Sequence, residues 1–595
     1  MMKLTSMIKH TLIKHAMIER LLAGALIFWF ALIPSTSTAT LAQSAAPQTS
    51  QSATQPPQTE TVESLAARLG AHISQPRFAP AAWGVKVVSL DSGKTLFEHN
   101  PQKYFNPASN AKLYTAALAL DRLGADYRIR TSLYSTARPD TSGTLKGDLI
   151  VYGRGDPTMA ASLNGGDYFK PLEPLINSLA SAGVRRIEGD LIGDESYFAT
   201  PAIGAGWEWD DLQEYYGAEA SALTLNDNAL DLFVKPAERA GLPCRITTGP
   251  ATNWVTIINR TETAPKNTEA RIVVYRPVGE NIVYVSGRLP VGGRDYRGSV
   301  AVHNPAGLFV ALFKNALLRR GITVTGRART MDWKFREVTP VDWAKLIELG
   351  FIESPPVKEI LRETLKPSQN LYAQLLLLQV GANRDAETRG RGDAAREQER
   401  GGEEAKRRRG EGEQGSVPVA ASPRLPVAAS SDPHLTTEEM GVEAMNDFLA
   451  AAGVKKGDVL IEEGSGLSRR DIITPNATVA LLAYMHRHRF ADDYRNGLPV
   501  AGVDGTLQNR MKGTAAAGNA RAKTGSLRYV YALSGYVTTA AGERLAFSIM
   551  LNNYYNAERA NATANSSQRI LSPRDDLDAI VIMLANFAGR SDVAR

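Results

Sequence analysis

Between Val380 and Val417 the chain has no apolar side chain larger than that of alanine, and Arg, Glu, Asp and Gly alternate through the stretch. Such a composition cannot bury a core, so we expect the stretch to be disordered. A near-duplicated low-complexity text at residues 417–422 and 425–430 extends this insert, which we place at residues 382–432. Any compact fold must therefore be built from the sequence on either side of it.

The N-terminus has the order of a secretory signal. Basic residues precede an apolar run from Leu21 to Ile33, and small residues follow up to Ala42. The run is shorter than the ~20 residues of a spanning helix, so residues 1–42 are predicted as a signal peptide and no stable transmembrane anchor is expected. Residues 43–63 are rich in Ser, Thr, Gln and Pro and are predicted as a flexible tether. We expect the protein to be secreted across the inner membrane and to work in the periplasm or cell envelope.

The composition excludes several classes of protein. With 43% hydrophobic and 22% charged residues, wholesale disorder, collagen-like repeats and polytopic membrane architecture are excluded. A formal net charge of +6 over 595 residues implies no nucleic-acid partner, and the basic run at residues 406–409 is surrounded by glutamates. Cys244 is the only cysteine, and no His or Cys stands at metal-ligand spacing. We therefore expect no disulfide, metal or cofactor.

Helix and strand patterns both occur, which indicates an α+β protein of several domains. A strand–turn–strand pattern covers residues 84–98, and an amphipathic helix begins near Ser109 and stops at Gly124. A capping box of Thr436 and Glu439 opens another helix. Short β-rich runs broken by Gly, Pro and Asp fill residues 127–335 and predict one or two inserted β-rich domains. The parts predicted for the domain that they interrupt are residues 64–126, 336–381 and 433–595.

Three short motifs follow one another in the chain: Ser109-Asn-Ala-Lys112, Ser368-Gln-Asn370 and Lys523-Thr-Gly525. Each motif alone is weak evidence of function, because such short motifs arise by chance and then usually mark a helix cap or a turn. The first motif starts a helix, which puts its hydroxyl and its amine one turn apart on the same face. The third runs into a strand pair and is predicted on an edge strand. No Gly-x-Ser-x-Gly elbow is present, so a nucleophilic serine here would use a base other than histidine.

With these motifs the chain resembles the penicillin-recognising serine acyltransferases, and among them the class C low-molecular-mass penicillin-binding proteins, which are D-Ala-D-Ala carboxypeptidases and endopeptidases. The subfamily carries inserted domains between the first two motifs, which here lie about 250 residues apart. The resemblance covers about residues 65–590 apart from the insert. It rests on further segments at residues 107–117, 153–157, 189–194, 216–228, 464–475 and 498–507.

The resemblance implies the fold and the chemistry. The fold would be a transpeptidase/β-lactamase-like domain, an antiparallel sheet flanked by helices, interrupted by the β-rich domains. A serine would attack the penultimate D-Ala of a peptidoglycan stem peptide, or a β-lactam antibiotic, with a neutral lysine as its base. The implied catalytic residues are Ser109, Lys112, Ser368 and Asn370, and the implied substrate-binding residues are Lys523, Thr524, Gly525 and Ser526.

Two alternative functions stay open. A serine β-lactamase shares the first and third motifs, but no Glu or Tyr can be assigned from the sequence to drive fast deacylation. A non-catalytic cell-wall binding protein would keep the fold without turnover. The ratio of penicillin hydrolysis to D-Ala release separates the β-lactamase from the peptidase, and D-Ala release by a Ser109→Ala protein tests whether the serine is catalytic at all.

Overall fold

The computed structural model describes residues 60–384, 435–555 and 572–592. The predicted signal peptide, the predicted tether up to residue 59 and the predicted insert from residue 385 onward lie outside the described residues. All described residues belong to one compact unit, Thr59–Arg595. The α-helices are α1 (Val62–Ile73), α2 (Ala111–Leu123), α3 (Glu173–Ser181), α4 (Pro305–Arg319), α5 (Trp333–Val338), α6 (Val357–Leu365), α7 (370–384), α8 (Thr437–Ala451), α9 (Pro475–His486), α10 (Ala491–Gly497) and α11 (Pro573–Asn586).

The strands form several separate sheets, and together with the helices they confirm the predicted α+β class. They are β1 (Ala82–Ser89), β2 (Thr95–His99), β3 (Arg130–Ser135), β4 (Thr144–Leu145), β5 (Leu149–Tyr152), β6 (Arg186–Ile187), β7 (Leu191–Asp194), β8 (Ala229–Lys235), β9 (Arg245–Gly249), β10 (Thr256–Ala264), β11 (Arg271–Tyr275), β12 (Ile282–Pro290), β13 (Tyr296–Ala301), β14 (Thr323–Val324), β15 (Ala328–Met331), β16 (Ile347–Glu353), β17 (Val459–Leu460), β18 (Ile472–Ile473), β19 (Arg521–Leu527), β20 (Val530–Thr538) and β21 (Arg544–Asn552).

A five-stranded antiparallel sheet pairs two strands from the N-terminal part of the chain, β1 and β2, with three from the C-terminal part, β19 to β21. Its order is β19-β20-β21-β1-β2, so the third sequence motif lies on an edge strand, as predicted. Because side chains alternate along a strand, neighbouring residues of β20 and β21 enter different cores. Ala532 and Met550 pack with helices α2, α6, α8 and α9 on one face of the sheet. Leu533 and Ile549 pack with α1 and α11 on the other face.

The chain between α2 and α6 forms further sheets around a separate apolar core. A mixed sheet has the order β15-β7-β5-β3-β16, and two antiparallel or mixed three-stranded sheets contain β8–β13. The domain boundaries stay a prediction. The predicted β-rich texture left out α3 and α4; α4 is mostly buried and has one exposed face, at Asn315, Leu318 and Arg319. Within the described ranges, no helix combines the length and the apolar character needed to cross a bilayer.

Candidate active site

Ser109 lies in a single 3₁₀ turn, Ala108–Asn110, that leads into α2. Ala108 adopts a left-handed conformation, with φ of 47°. The side chain of Asn106 stabilises this bend: its Oδ1 accepts the backbone N–H of Ala108 at 3.0 Å, and its amide donates to the carbonyl of Asp471 at 3.0 Å. The Ser109 hydroxyl therefore stands half-buried on a turn that is fixed from both sides.

The amine of Lys112 is completely buried and has three partners. Its Nζ lies 2.9 Å from Ser109 Oγ, 2.6 Å from Asn370 Oδ1 and 2.6 Å from the carbonyl oxygen of Ser465. The contact with Asn370 joins the first and second sequence motifs, which the chain separates by about 250 residues. The third partner, Ser465, lies in a loop after β17.

The orientation of the Asn370 amide is set by a second contact. Its Nδ2 donates to the carbonyl oxygen of Tyr216 at 2.9 Å, so Oδ1 is the atom that faces Lys112. Asn370 is the first residue of α7, which carries it into the site. Lys112 is thus surrounded by two oxygens that only accept hydrogen bonds and one hydroxyl that can also donate.

Burial is the main influence on the charge of Lys112. Loss of solvation lowers the pKa of this amine to about 7, although the nearby carboxyl groups of Glu463 and Asp471 act to raise it. Burial therefore favours the neutral amine, and the two carboxyl groups oppose it. At neutral pH a large fraction of Lys112 is a neutral amine.

Ser368 connects the second motif to the third. Lys523 Nζ donates to Ser368 Oγ at 2.7 Å and to the carbonyl oxygen of Thr524 at 2.9 Å. Ser368 has a left-handed φ of 69°, a conformation that non-glycine residues adopt at some cost. The turn between α6 and α7 thereby directs the hydroxyl toward the edge strand instead of toward solvent.

Lys523 is as deeply buried as Lys112. Burial, and the neighbouring charge of Lys112, hold the pKa of Lys523 well below its usual range when no ligand is present. An ammonium at this position would still have a donor left for an anion, since its two protein partners use only two of three N–H groups. A carboxylate bound beside it would favour the charged form.

The remaining residues of the third motif line the same cleft. Thr524 Oγ1 lies 2.9 Å from Thr506 Oγ1, and Ser526 is exposed. A side chain at Gly525 would meet the carbonyl oxygen of Pro107, so the glycine lets the edge strand approach the turn that carries Ser109. All eight predicted site residues thus lie in or beside one cleft.

This cleft has a volume of about 690 Å³. Three of its carboxylates come from the segment between β7 and β8, and its arginines come from several elements. Within the described residues, no group of His, Cys, Asp and Glu is placed to hold a metal ion. The charged lining residues are Glu208, Asp210, Asp211, Arg469, Arg510, Arg528 and Arg574.

Sequence reasoning missed three contributors to the site: the carbonyl of Tyr216, the carbonyl of Ser465 and the hydroxyl of Thr506. All three lie in segments that carried the family resemblance, to which no individual role was assigned. Two of the three act through backbone oxygens, which leave no residue-type signal. Only the glycines around Ser465 hint at a close backbone approach.

Sequence comparison relates the chain to D-Ala-D-Ala carboxypeptidases, and structure comparison relates its fold to a penicillin binding protein. The model of the D-Ala-D-Ala carboxypeptidase 3 (S13) family matches residues 65–399 and 427–572. The chain is similar to the D-alanyl-D-alanine carboxypeptidase of Actinomadura sp. (strain R39), with 31% identity over 532 residues, which cover 88% of this chain and 84% of that protein.

Solved structures resemble the fold. The crystal structure of penicillin binding protein 4 (dacB) from Haemophilus influenzae has a TM-score of 0.66 at 23% identity, and the match covers 87% of this chain and 97% of that one. The structure of the same protein complexed with a β-lactam has a TM-score of 0.62 at 22% identity, with the same coverage. These likenesses support the predicted transpeptidase-like architecture.

Proposed function

Since the chain belongs to the D-Ala-D-Ala carboxypeptidase 3 (S13) family of serine peptidases, we propose that it cleaves D-Ala-D-Ala termini and related cross-links of peptidoglycan peptides through an acyl-enzyme on Ser109. The four residues Ser109, Lys112, Ser368 and Asn370 carry the chemistry, and Lys523 to Ser526 bind the substrate. The protein would meet these peptides in the cell envelope.

The environment of Lys112 is the observation that carries this proposal. A neutral amine has two N–H donors and one lone pair. The oxygens of Asn370 and of the Ser465 carbonyl can only accept, so each takes one N–H. The lone pair is then left for Ser109 Oγ at 2.9 Å, whose hydroxyl donates to it. This is the arrangement that a general base requires.

Acylation follows from that geometry. Ser109 Oγ attacks the carbonyl carbon of the penultimate D-Ala while its proton passes to Lys112 Nζ. The backbone N–H groups of Ser109 and Ser526 hold the oxyanion, a contact worth about 10²- to 10³-fold in rate per donor. The close approach of Gly525 to Pro107 supports this pairing, because it brings the two backbones together.

Substrate binding and leaving-group protonation involve the second lysine. The terminal carboxylate of the peptide pairs with Lys523 and accepts the Thr524 hydroxyl, which orients the scissile bond. Ser368 Oγ, hydrogen-bonded to Lys523, relays the proton that Lys112 took from Ser109 to the departing D-Ala nitrogen, so that Lys112 is neutral again. Water then hydrolyses the ester, and Ser109 regains its proton. A β-lactam has an amide and a carboxylate at the same separation and is attacked in the same way.

Labelled benzylpenicillin and peptide mapping test the proposal. We expect one covalent adduct, on Ser109, in the wild type and none in Ser109→Ala. Ser181→Ala, an exposed serine at the end of α3, is the matched control and should be labelled like the wild type. An adduct on another residue would refute the assignment.

Turnover separates the alternatives. Release of D-Ala from a stem-peptide substrate with slow loss of the penicillin adduct supports the peptidase. Rapid penicillin hydrolysis without D-Ala release would instead indicate a serine β-lactamase. Binding of peptide without an adduct or product would indicate a non-catalytic cell-wall protein.

A further inference from the structure

A fully buried glutamate, Glu463, organises the loop that contacts Lys112. One carboxylate oxygen accepts the backbone N–H of Ser465 at 2.7 Å. The other accepts the N–H groups of Gly466, of Leu467 at 2.9 Å and of Ser468 at 3.4 Å. Backbone N–H donors around a carboxylate stabilise its ionised form. Four backbone N–H groups of the loop at residues 463–468 thus point at the carboxylate of Glu463.

The same loop is attached to both helices of the proposed site. The carbonyl oxygen of Gly464 accepts the hydroxyl of Thr115 on α2 at 2.7 Å, and its N–H donates to Gln374 Oε1 on α7 at 2.8 Å. Thr115 lies one turn beyond Lys112, and Gln374 one turn beyond Asn370. A side chain at Gly466 would overlap the carbonyl oxygen of Ala108, beside the nucleophile. A shift of the loop would therefore displace the groups that orient Lys112.

A second buried acid, Asp471, interacts with the Glu463 side chain. Its Oδ1 accepts the N–H of Glu462 at 2.9 Å, whereas its Oδ2 is buried with no hydrogen-bond partner among the described residues. Burial and the adjacent Glu463 charge hold the pKa of Asp471 well above its usual range. Two adjoining buried carboxylates cannot both be ionised at neutral pH. A proton on Oδ2, donated to Glu463, satisfies the otherwise unpaired atom.

We propose that Glu463 is a positioning residue of the acylation site: its ionised carboxylate holds the 463–468 loop against Lys112 and supplies the counter-charge for the amine that receives the serine proton, while Asp471 carries the proton that the two acids share. The inference rests on the proposed function. Lys112 becomes an ammonium during acylation, with the ammonium of Lys523 close by. A fixed anion near Lys112 stabilises its ammonium form, which burial without a counter-charge would disfavour.

The titratable groups around the pair define the test. Glu462 adjoins Asp471, Glu438 on α8 faces Glu463, and Lys112 and Lys523 lie on the site side. Glu463→Gln alone would let Asp471 ionise and restore the charge. The informative variant is therefore E463Q/D471N, in which both acids are neutral. D471N is its control, because an amide N–H can replace the acidic proton and the Glu463 charge remains.

The pH dependence of Ser109 acylation by benzylpenicillin is the readout. In E463Q/D471N the acidic limb should move to lower pH by about 1 unit, since a lost neighbouring anion lowers the pKa of Lys112. In D471N the limb should stay in place. An unmoved limb in the double variant, or an equal shift in D471N, would overturn the proposal. A merely structural loss would lower the rate at every pH without moving the limb.

Infrared difference spectra of wild type and D471N at neutral pH provide a second measurement that needs no turnover and no stable double variant. We expect the wild type to show the C=O band of one protonated carboxylic acid that D471N lacks. Absence of that band would overturn the shared proton even if Ser109 is acylated. Failure of wild-type acylation with the band present would refute the proposed function instead.

Discussion

The rate at which Ser109 is acylated should rise with pH between about pH 6 and pH 8. Only neutral Lys112 can accept the serine proton, and burial lowers the pKa of its amine to about 7. Protonation on the acidic side of that pKa fills the lone pair that faces Ser109 Oγ. The perturbation is therefore the pH itself, acting on one buried amine.

The expected size of the change comes directly from this pKa. About a tenth of Lys112 is neutral at pH 6, about half at pH 7 and about nine-tenths at pH 8. Acylation should therefore accelerate roughly tenfold over this interval and then level off. A lysine with the ordinary pKa of 10.5 would be neutral in only about one molecule in 3,000 at pH 7, and the rate would keep rising tenfold per unit.

Single-turnover acylation by benzylpenicillin, quenched and followed by mass spectrometry, measures this profile. The carboxylate of the ligand stays ionised throughout the interval. Asp211→Asn is a suitable control, because burial also raises the pKa of this cleft carboxyl group. The limb should survive that substitution. A rate that is flat from pH 6 to pH 8, or a limb that disappears in Asp211→Asn, would refute Lys112 as the base.

Two other predictions use the backbone and the second lysine. Gly466→Ala should slow acylation at least tenfold and destabilise the fold by about 1–3 kcal/mol, because the added carbon would overlap the Ala108 carbonyl oxygen and the backbone of Gly466 has a left-handed φ of 77°. Gly453→Ala is the control: Gly453 has a similar φ of 76° but open space around it, so acylation should be unchanged. Ligand binding should take up a proton at neutral pH, since a bound carboxylate raises the depressed pKa of Lys523. Calorimetry in buffers of different ionisation enthalpy measures this uptake, and its persistence in Lys523→Met would contradict the assignment.

The helical and strand parts of the site were predictable because their signals are local. The pairing of Ser109 with Lys112 follows from helical spacing, and the edge position of Lys523 follows from the strand pattern that continues beyond it. The meeting of these segments with Ser368 depends on long-range topology, which periodicity does not contain. Only the family resemblance indicated it.

The burial of Glu463 and Asp471 could not be predicted from the sequence. Glu463 precedes a glycine-rich segment that reads as a loop, and loop acids are ordinarily solvated. Its burial results from the packing of α2 and α7 around the loop, which no local pattern reports. The same holds for helix α4, whose runs of consecutive apolar residues resemble a buried strand as much as a helix.

The buried base should also affect stability, with a sign that the linkage relation fixes. Unfolded Lys112 has the ordinary pKa of 10.5, whereas the folded amine has a pKa of about 7. Between these values the unfolded chain binds more protons, so the unfolding free energy rises with pH by about 1.4 kcal/mol per unit. Lys112→Met lacks this dependence, while the titrating groups that do not face Lys112 remain common to both proteins. Since the folded amine is still half protonated at pH 7, the wild-type unfolding free energy should rise by about 2 kcal/mol more than that of the variant between pH 7 and pH 9, measured by denaturant unfolding. Parallel pH curves for the two proteins would mean that the Lys112 amine keeps an ordinary pKa in the folded state, and the acylation mechanism would lose its base.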